Sequence, residues 1–165
     1  VRTITGSMGW ISDLAWSQHG SYLLFRAANE DDQPLAPVRG VGVFVLEAAT
    51  GEARRITDSP HDVLSACWLS DGQTIVFSAA TESDYRVCIV DTNGAILRVF
   101  DAPYESCNLH VSPHGDKLLF EAYADEYANP DVCVVDIDGS NLRWVTDDPA
   151  TDIPQGWVPV VLNTD

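Results

Sequence analysis

Residues 66–101 read ACWLSDGQTIVFSAATESDYRVCIVDTNGAILRVFD. This stretch contains four short apolar runs, and Gly, Asp, Asn or Ser residues separate them. Short runs rich in β-branched and aromatic side chains, bounded by such turn residues, are typical of β-strands. No 3.6-residue apolar period is sustained anywhere in the chain, so we predict strands and no helices. The four strands of this unit are labelled a to d.

The same unit occurs three times along the chain. Its turn glycines are Gly20, Gly72 and Gly115 between strands a and b, and Gly51, Gly94 and Gly139 between strands c and d. The c–d glycines are 43 and 45 residues apart. The interval from Gly20 to Gly72 is longer, at 52 residues, because of an insertion at Asn29–Gly40. A period near 45 residues with four short strands predicts β-propeller blades.

We therefore predict an all-β chain of three consecutive four-stranded antiparallel blades, with a single strand at each end. The predicted boundaries are 1–8 for the last strand of a preceding blade, 9–58, 59–103 and 104–149 for the blades, and 150–165 for the first strand of a following blade. Closed propellers have about four to eight blades. The sequence thus predicts an incomplete propeller that is extended by a longer chain or completed by oligomerisation.

The repeat resembles the TolB-like propeller family and is similar, more loosely, to the WD-repeat superfamily. The resemblance rests on Trp-Ser-x-His/Asp-Gly, an apolar triplet ending in Phe, an apolar run ending in Asp, and Arg-x-Val/Ile-Thr, and it covers about residues 1–160. Two positions depart from the pattern, since Glu47 replaces the Asp and Val111 replaces the Trp. The resemblance implies a propeller, and such blades occur in the periplasmic Tol–Pal system and in the gating domains of prolyl-oligopeptidase-like hydrolases. It therefore implies a periplasmic or other extracytoplasmic location, whereas the sparse cysteines are also compatible with the cytoplasm.

The chain of 165 residues is strongly acidic. It has 25 Asp and Glu against nine Lys and Arg, which gives a formal net charge of −16. Nucleic-acid backbones and anionic membranes attract clustered positive charge, so both are excluded as partners. No apolar run approaches the roughly 20 residues of a membrane-spanning helix.

More than half of the acidic residues fall in the b–c and d–a loops, which share one face of a propeller. Tyrosines accompany them, and this combination suits a cationic protein or peptide through long-range attraction and aromatic anchors. The alternative is that acidic loops only keep a β-rich protein soluble. The candidate interaction face consists of Asp31, Asp32, Asp58, Asp62, Glu82, Asp84, Tyr85, Tyr104, Glu105, Asp125, Glu126, Tyr127, Asp147 and Asp148.

No catalytic residue, metal site or cofactor is predicted. His19, Asp71 and His114 share one turn position in successive blades, and no G-x-S-x-G nucleophile elbow is present. Asp136-Ile137-Asp138-Gly139 resembles the start of a calcium loop but lacks the later glycine and glutamate. The four cysteines contain no C-x-x-C pair and are predicted to be buried free thiols.

We therefore predict a non-catalytic interaction or scaffold module that presents an acidic loop face to a protein or basic peptide. Two alternatives remain: a propeller segment that gates substrate in a larger prolyl-oligopeptidase-like hydrolase, and a small-ligand site along the propeller axis. A homo-oligomer or a longer parent chain is expected. Two recurring aromatic positions, Trp16/Trp68/Trp157 and Phe25/Phe77/Phe120, are predicted to pack blade against blade.

Overall fold

The computed structural model describes residues 8–29, 40–57, 62–81, 83–125 and 128–158. These residues form three four-stranded antiparallel sheets in which neighbouring strands follow one another in the sequence. The predicted fold class and the three blades are thereby confirmed. Blade 1 contains β1 (Met8–Trp16), β2 (Tyr22–Asn29), β3 (Gly42–Glu47) and β4 (Ala53–Arg55); blade 2 contains β5 (Asp62–Trp68), β6 (Thr74–Ala80), β7 (Tyr85–Asp91) and β8 (Ile96–Ala102); blade 3 contains β9 (Tyr104–Val111), β10 (Lys117–Tyr123), β11 (Pro130–Asp136) and β12 (Arg143–Trp144).

The turn glycines adopt the left-handed backbone that tight hairpins require, with φ between 65° and 87° at all six positions. Two of them also allow blades to approach closely. A Cβ at Gly94 would lie 2.6 Å from the carbonyl oxygen of Ile56, and one at Gly139 would lie 2.7 Å from Cγ of Phe100. The c–d turn of each of these blades therefore packs against the preceding blade at a distance that only glycine permits.

The apolar core lies between the blades. One cluster joins blade 1 to blade 2 through residues such as Leu24, Val45 and Phe77, and a second joins blade 2 to blade 3 through Val76, Leu118 and Phe120. The repeated phenylalanines are exposed by only 4% (Phe25), 8% (Phe77) and 1% (Phe120). The Phe position is therefore a core position in all three blades, and Phe77 and Phe120 belong to clusters that join two blades. Phe25 instead packs with Phe44 and Leu46 of its own blade, so the prediction that it packs between blades is wrong among the described residues.

The Trp position behaves differently along the chain. Trp68 is half-buried against blade 1, and its Nε1 donates a hydrogen bond to the carbonyl oxygen of Ala15 over 2.9 Å. Trp157 makes the equivalent bond to the carbonyl of His110 over 3.1 Å. Trp16 is 59% exposed, so the prediction that it packs between blades is wrong for the described residues, because no blade precedes β1 among them.

The two predicted end strands have different outcomes. Residues 1–7 lie outside the described residues, and so does most of the insertion after β2. Residues 145–158 are described and form no strand. The first strand of a following blade therefore stays a prediction, although the contact of Trp157 is the one that the repeat would give it.

One interior position carries a different polar residue in each blade. It follows the repeated Phe in strand b and is occupied by Arg26, Ser78 and Glu121. Arg26 forms an ion pair with Asp13 and donates to the carbonyl oxygen of Val63 in blade 2 over 2.7 Å.

The other two residues at this position lie deeper in the structure. Ser78 is 1% exposed, and its hydroxyl has no hydrogen-bond partner among the described residues. Glu121 is 7% exposed and accepts hydrogen bonds from Cys107 and Asn108 of its own blade. The side chain at this repeat position is thus chemically different in each of the three blades.

Candidate functional site

A cleft of about 320 Å³ opens where blade 2 meets blade 3. It lies between the loop that joins β6 to β7 and the short connection from β8 to β9, which are a b–c loop and a d–a loop. Among the described residues, its walls carry carboxylates and two aromatic rings and no basic side chain. The lining residues are Ser83, Asp84, Tyr85, Asp101, Ala102 and Tyr104, and we call this site the acid–tyrosine cleft.

A compact turn holds Asp84 at the rim of the cleft. The hydroxyl of Thr81 accepts a hydrogen bond from the backbone N–H of Asp84 over 2.9 Å, and the N–H of Thr81 donates to the carbonyl of Asp84 over 2.8 Å. The hydroxyl of Ser83 donates to Oδ2 of the same aspartate over 2.7 Å. Such local side-chain bonds fix a turn without a long loop, so the carboxylate of Asp84 has a defined place.

Two tyrosines form the aromatic wall. Tyr85 begins β7 and Tyr104 begins β9, so adjacent blades each contribute one ring. Their ring centroids are 4.8 Å apart with an interplanar angle of 58°, and both residues are half-buried. A tilted pair at this distance is a favourable aromatic contact, and a π-face beside a carboxylate attracts a cation.

Arg86 lies behind the two carboxylates of the cleft. It pairs with Asp101 across β7 and β8, and its Nε is 3.7 Å from Oδ1 of Asp101. Its Nη2 is 3.7 Å from Oδ2 of Asp84. The side chain of Asp101 is 91% exposed, and ion pairs this long and this exposed contribute about 0–1 kcal/mol. The two carboxylates therefore remain able to bind a second cation from solvent.

The structure brings three of the fourteen predicted residues together in this cleft, namely Asp84, Tyr85 and Tyr104. Glu105 follows directly in the chain and has a left-handed φ of 48°. Asp62 instead accepts a hydrogen bond from the N–H of Gly40 over 2.8 Å.

The remaining predicted residues do not line the cleft. Asp148 accepts a hydrogen bond from the N–H of Ala150 over 2.7 Å, and Asp125 and Asp147 lie exposed in other loops. The other six predicted residues lie outside the described residues: Asp31, Asp32, Asp58, Glu82, Glu126 and Tyr127.

Asp101 completes the cleft although it is absent from the predicted set. Its membership follows from strand register, since Asp101 lies opposite Arg86 and Ala102 lies opposite Tyr85. The sequence carries a usable signal, because a hairpin turn at Asn93-Gly94 fixes which residues of β7 and β8 face each other. Assigning residue pairs by counting outward from that turn is complicated because the β7–β8 register shifts between Ile89 and Val90 of β7.

Other candidate chemistry is not supported by the described residues. Among them, no group of three or more His, Cys, Asp or Glu side chains is placed to hold a metal ion. His19 lines a separate cavity of about 240 Å³ together with the neutral side chains of Tyr22 and Gln73. Asp136 accepts a hydrogen bond from Nδ2 of Asn141 over 2.7 Å within its own hairpin.

All four cysteines are free, but only Cys133 is buried and the other three are half-buried, so the prediction of buried thiols is wrong for Cys67, Cys88 and Cys107. Burial raises the pKa of Cys67 and Cys133 to about 12. Thiols with such pKa values stay protonated at neutral pH and are poor nucleophiles. Within the part of the chain that the structure describes, no helix has the length and apolar character needed to cross a membrane.

Comparisons with known proteins agree with the fold. No family model matches the chain. An uncharacterized protein of Agrobacterium fabrum is 28% identical over 112 residues, which are 64% of this chain and 38% of that protein. A solved structure assigned as TolB from Agrobacterium tumefaciens has a TM-score of 0.62 at 22% identity, and the match covers 78% of this chain and 46% of that one.

Two further solved structures show the range of proteins that use this fold. The nidogen–laminin complex contains a chain with a TM-score of 0.61 at 18% identity, matched over 87% of this chain and 50% of that one. The β-propeller domain of the trilobed protease from Pyrococcus furiosus has a TM-score of 0.57 at 15% identity, over 83% and 43% of the two chains. These likenesses confirm the predicted TolB-like propeller at the level of the fold, and the chain spans half or less of each of these proteins.

Proposed function

We propose that this chain is a non-catalytic propeller module that binds a partner protein or peptide by the basic side chains of that partner. The observation that carries the proposal is the acid–tyrosine cleft, which Asp84 and Asp101 line together with the paired rings of Tyr85 and Tyr104. A lysine or arginine entering it would meet two carboxylates and an aromatic face. The net charge of −16 would add long-range attraction for such a partner.

The proposal is tested with a fluorescein-labelled peptide of alternating Lys and Gly, followed by anisotropy at low salt. The double variant Asp84→Asn/Asp101→Asn should weaken binding at least fivefold. The control Asp147→Asn/Asp148→Asn removes the same charge from exposed loop positions and should weaken binding less than twofold. Equal losses in both variants would show that only net charge matters and would overturn the proposal.

Salt dependence gives a second readout of the same proposal. Screening shortens the Debye length to about 3 Å at 1 M salt, so the electrostatic attraction between peptide and cleft should largely disappear there. Binding that is unchanged at that salt concentration would contradict a cleft that works through its carboxylates.

The first blade also needs a neighbour under this proposal. Trp16 and Leu14 are 59% and 63% exposed, and Trp16 occupies the position at which Trp68 donates to the preceding blade. A further blade of the same repeat, from the parent chain or from a second copy of this chain, would supply that acceptor. Native mass spectrometry separates the two sources, since a stable dimer supports the second copy and a stable monomer assigns the blade to the parent chain.

The second candidate function is a propeller segment of a larger hydrolase. It is favoured by the likeness to the propeller domain of the trilobed protease from Pyrococcus furiosus. In that case the parent chain would carry a nucleophile elbow outside these residues, and its peptidase activity would depend on this segment. The TolB-like fold supports an extracytoplasmic location for either function, and fractionation of the parent protein tests that location.

A further inference from the structure

Strand β8 is the outer edge of blade 2, and it differs from the equivalent strands of the other two blades. It contains seven residues, whereas β4 contains three and β12 contains two. Three of its apolar side chains are exposed: Ile96 by 70%, Leu97 by 59% and Val99 by 42%. Natural proteins usually keep edge strands short or charged, because their unpaired backbone groups invite another strand. Of the two charged residues in β8, Arg98 donates to the carbonyl oxygen of Asp138 in blade 3 over 3.2 Å, and Asp101 lies near the end of the strand. The strand is therefore the longest outer edge of the three blades and carries three exposed apolar side chains, which suits a partner strand.

The backbone of β8 can accept such a strand. It pairs with β7 on one side, and among the described residues no strand lies on its other side. The pairing with β7 is regular from Arg98 to Ala102 and is irregular only near Ile96. Five consecutive residues therefore present a regular backbone edge of roughly 17 Å, at about 3.4 Å per residue.

This edge leads directly into the acid–tyrosine cleft. Asp101 and Ala102 are the last two residues of β8, and both line the cleft. An extended chain lying along β8 would therefore contact Ile96 and Val99 first and would reach the carboxylates of the cleft at its end. The apolar edge and the acidic cleft form one continuous surface.

We propose that β8 binds an extended peptide segment of a partner protein as a fifth strand of blade 2. The segment would carry apolar side chains opposite Ile96 and Val99 and a basic residue that enters the acid–tyrosine cleft. Backbone hydrogen bonds would supply affinity, and the basic residue would fix register and direction. This inference rests on the proposed function of the cleft and adds the form of the ligand.

Charge favours a partner peptide over a second copy of this chain. Each copy carries a net charge of −16, so two copies that approach edge to edge through β8 repel each other. A segment with a basic end has no such penalty.

The test uses a fluorescein-labelled peptide, Lys-Val-Thr-Val-Thr-Val, and two versions that are N-methylated at alternate residues. In a strand added to one edge, only alternate N–H groups face β8. One methylated version should therefore bind at least tenfold more weakly than the parent peptide, and the other should lose less than threefold. If neither methylated peptide loses affinity while Asp84→Asn/Asp101→Asn still weakens binding, the added strand is overturned and the proposed function is retained.

Two variants of the chain complete the test. Val99→Thr keeps a β-branched residue in β8 and should weaken binding of the peptide threefold or more. The matched control Val158→Thr alters a residue that is 86% exposed elsewhere and should have less than a twofold effect. Self-association of the chain that Val99→Thr abolishes would show that a second copy occupies β8 and would overturn the inference. Failure of both this peptide and the Lys-Gly peptide to bind would overturn the proposed function with it.

Discussion

Trp157 donates its indole N–H to the carbonyl oxygen of His110 over 3.1 Å, and Trp68 donates to Ala15 in the same way over 2.9 Å. In both cases the acceptor directly precedes the Trp position in strand a of the preceding blade. Blade 3 has Val111 at this position and so has no donor for the equivalent bond. The contact therefore forms where a tryptophan at this position follows another blade of the described chain.

Substitutions of the repeated tryptophans should differ in their effects on stability. Trp68→Ala removes a half-buried ring and its hydrogen bond and should lower the free energy of unfolding by about 3–5 kcal/mol. Trp16→Ala removes a ring that is 59% exposed and should cost about 0.5 kcal/mol or less. Urea denaturation followed by circular dichroism measures both, and equal losses would contradict the assignment of the Trp68 contact.

Two buried serines of blade 2 should respond in opposite directions. The hydroxyl of Ser65 accepts a hydrogen bond from the N–H of Leu109 in blade 3 over 3.1 Å, so Ser65→Ala should destabilise the chain by about 1–3 kcal/mol. The hydroxyl of Ser78 has no partner among the described residues, so Ser78→Ala should be neutral or stabilising by up to about 1 kcal/mol. Thermal unfolding of the pair provides the comparison, and a destabilised Ser78→Ala variant would reveal a partner for that hydroxyl.

Stability should fall in acid through the turn aspartates. Hydrogen bonds from Asn141 and Lys117 lower the pKa of Asp136 below its ordinary value of 3.8. Because the folded pKa is the lower one, the stabilising contribution is complete above the unfolded pKa and is lost as the pH falls through the folded pKa. Asp136→Asn should therefore be less stable near pH 7 and should lose less stability below about pH 4.

The measurement for this prediction is the urea midpoint between about pH 2.5 and pH 7. Asp147→Asn changes an exposed aspartate in the loop after β12 and serves as the control, with an acid profile like that of the unsubstituted chain. An Asp136→Asn profile parallel to the unsubstituted one over the whole range would rule out this linkage.

The reactivity of Cys107 should depend on Glu121. Burial and then the charge of Glu121 raise the pKa of Cys107 to about 12, and its Sγ donates to Oε1 of that carboxylate over 3.3 Å. Glu121→Gln removes the charge, so it should lower the pKa of Cys107 and speed its alkylation by iodoacetamide severalfold at pH 8. Peptide mass mapping follows the reaction, with Cys133 as an internal control. Equal acceleration at Cys133 would indicate general loosening of the blade instead.

The sequence predicts the fold far better than it predicts the site. The turn glycines and the short apolar runs determine strands and hairpins locally, so three blades follow from the printed residues alone. Phe77 and Phe120 are identified as core for the same reason, since each has a preceding blade to pack against. Trp16 breaks this rule because its environment depends on a neighbour that the described residues do not include.

The candidate site depends on distances that the repeat does not encode. The sequence predicts acidic loops along a whole face, whereas among the described residues the cleft forms where Tyr85 and Tyr104 come from adjacent blades and their ring centroids are 4.8 Å apart. Asp101 joins them through its register with Arg86, which an irregularity in the β7–β8 pairing makes hard to count from sequence. Loop composition thus indicates which face of the blades is acidic, and strand register determines which residues of that face line the cleft.

The polar position that holds Arg26, Ser78 and Glu121 has a consequence for how the chain assembles. Repeat proteins misassemble when one unit takes the place of another that resembles it. If blade 3 packed where blade 1 belongs, the carboxylate of Glu121 would replace the guanidinium of Arg26 against the carbonyl oxygen of Val63. That exchange would set an anion against an acceptor and leave both unsatisfied. The residue at this one position therefore favours the observed order of the blades over an order in which blade 3 replaces blade 1.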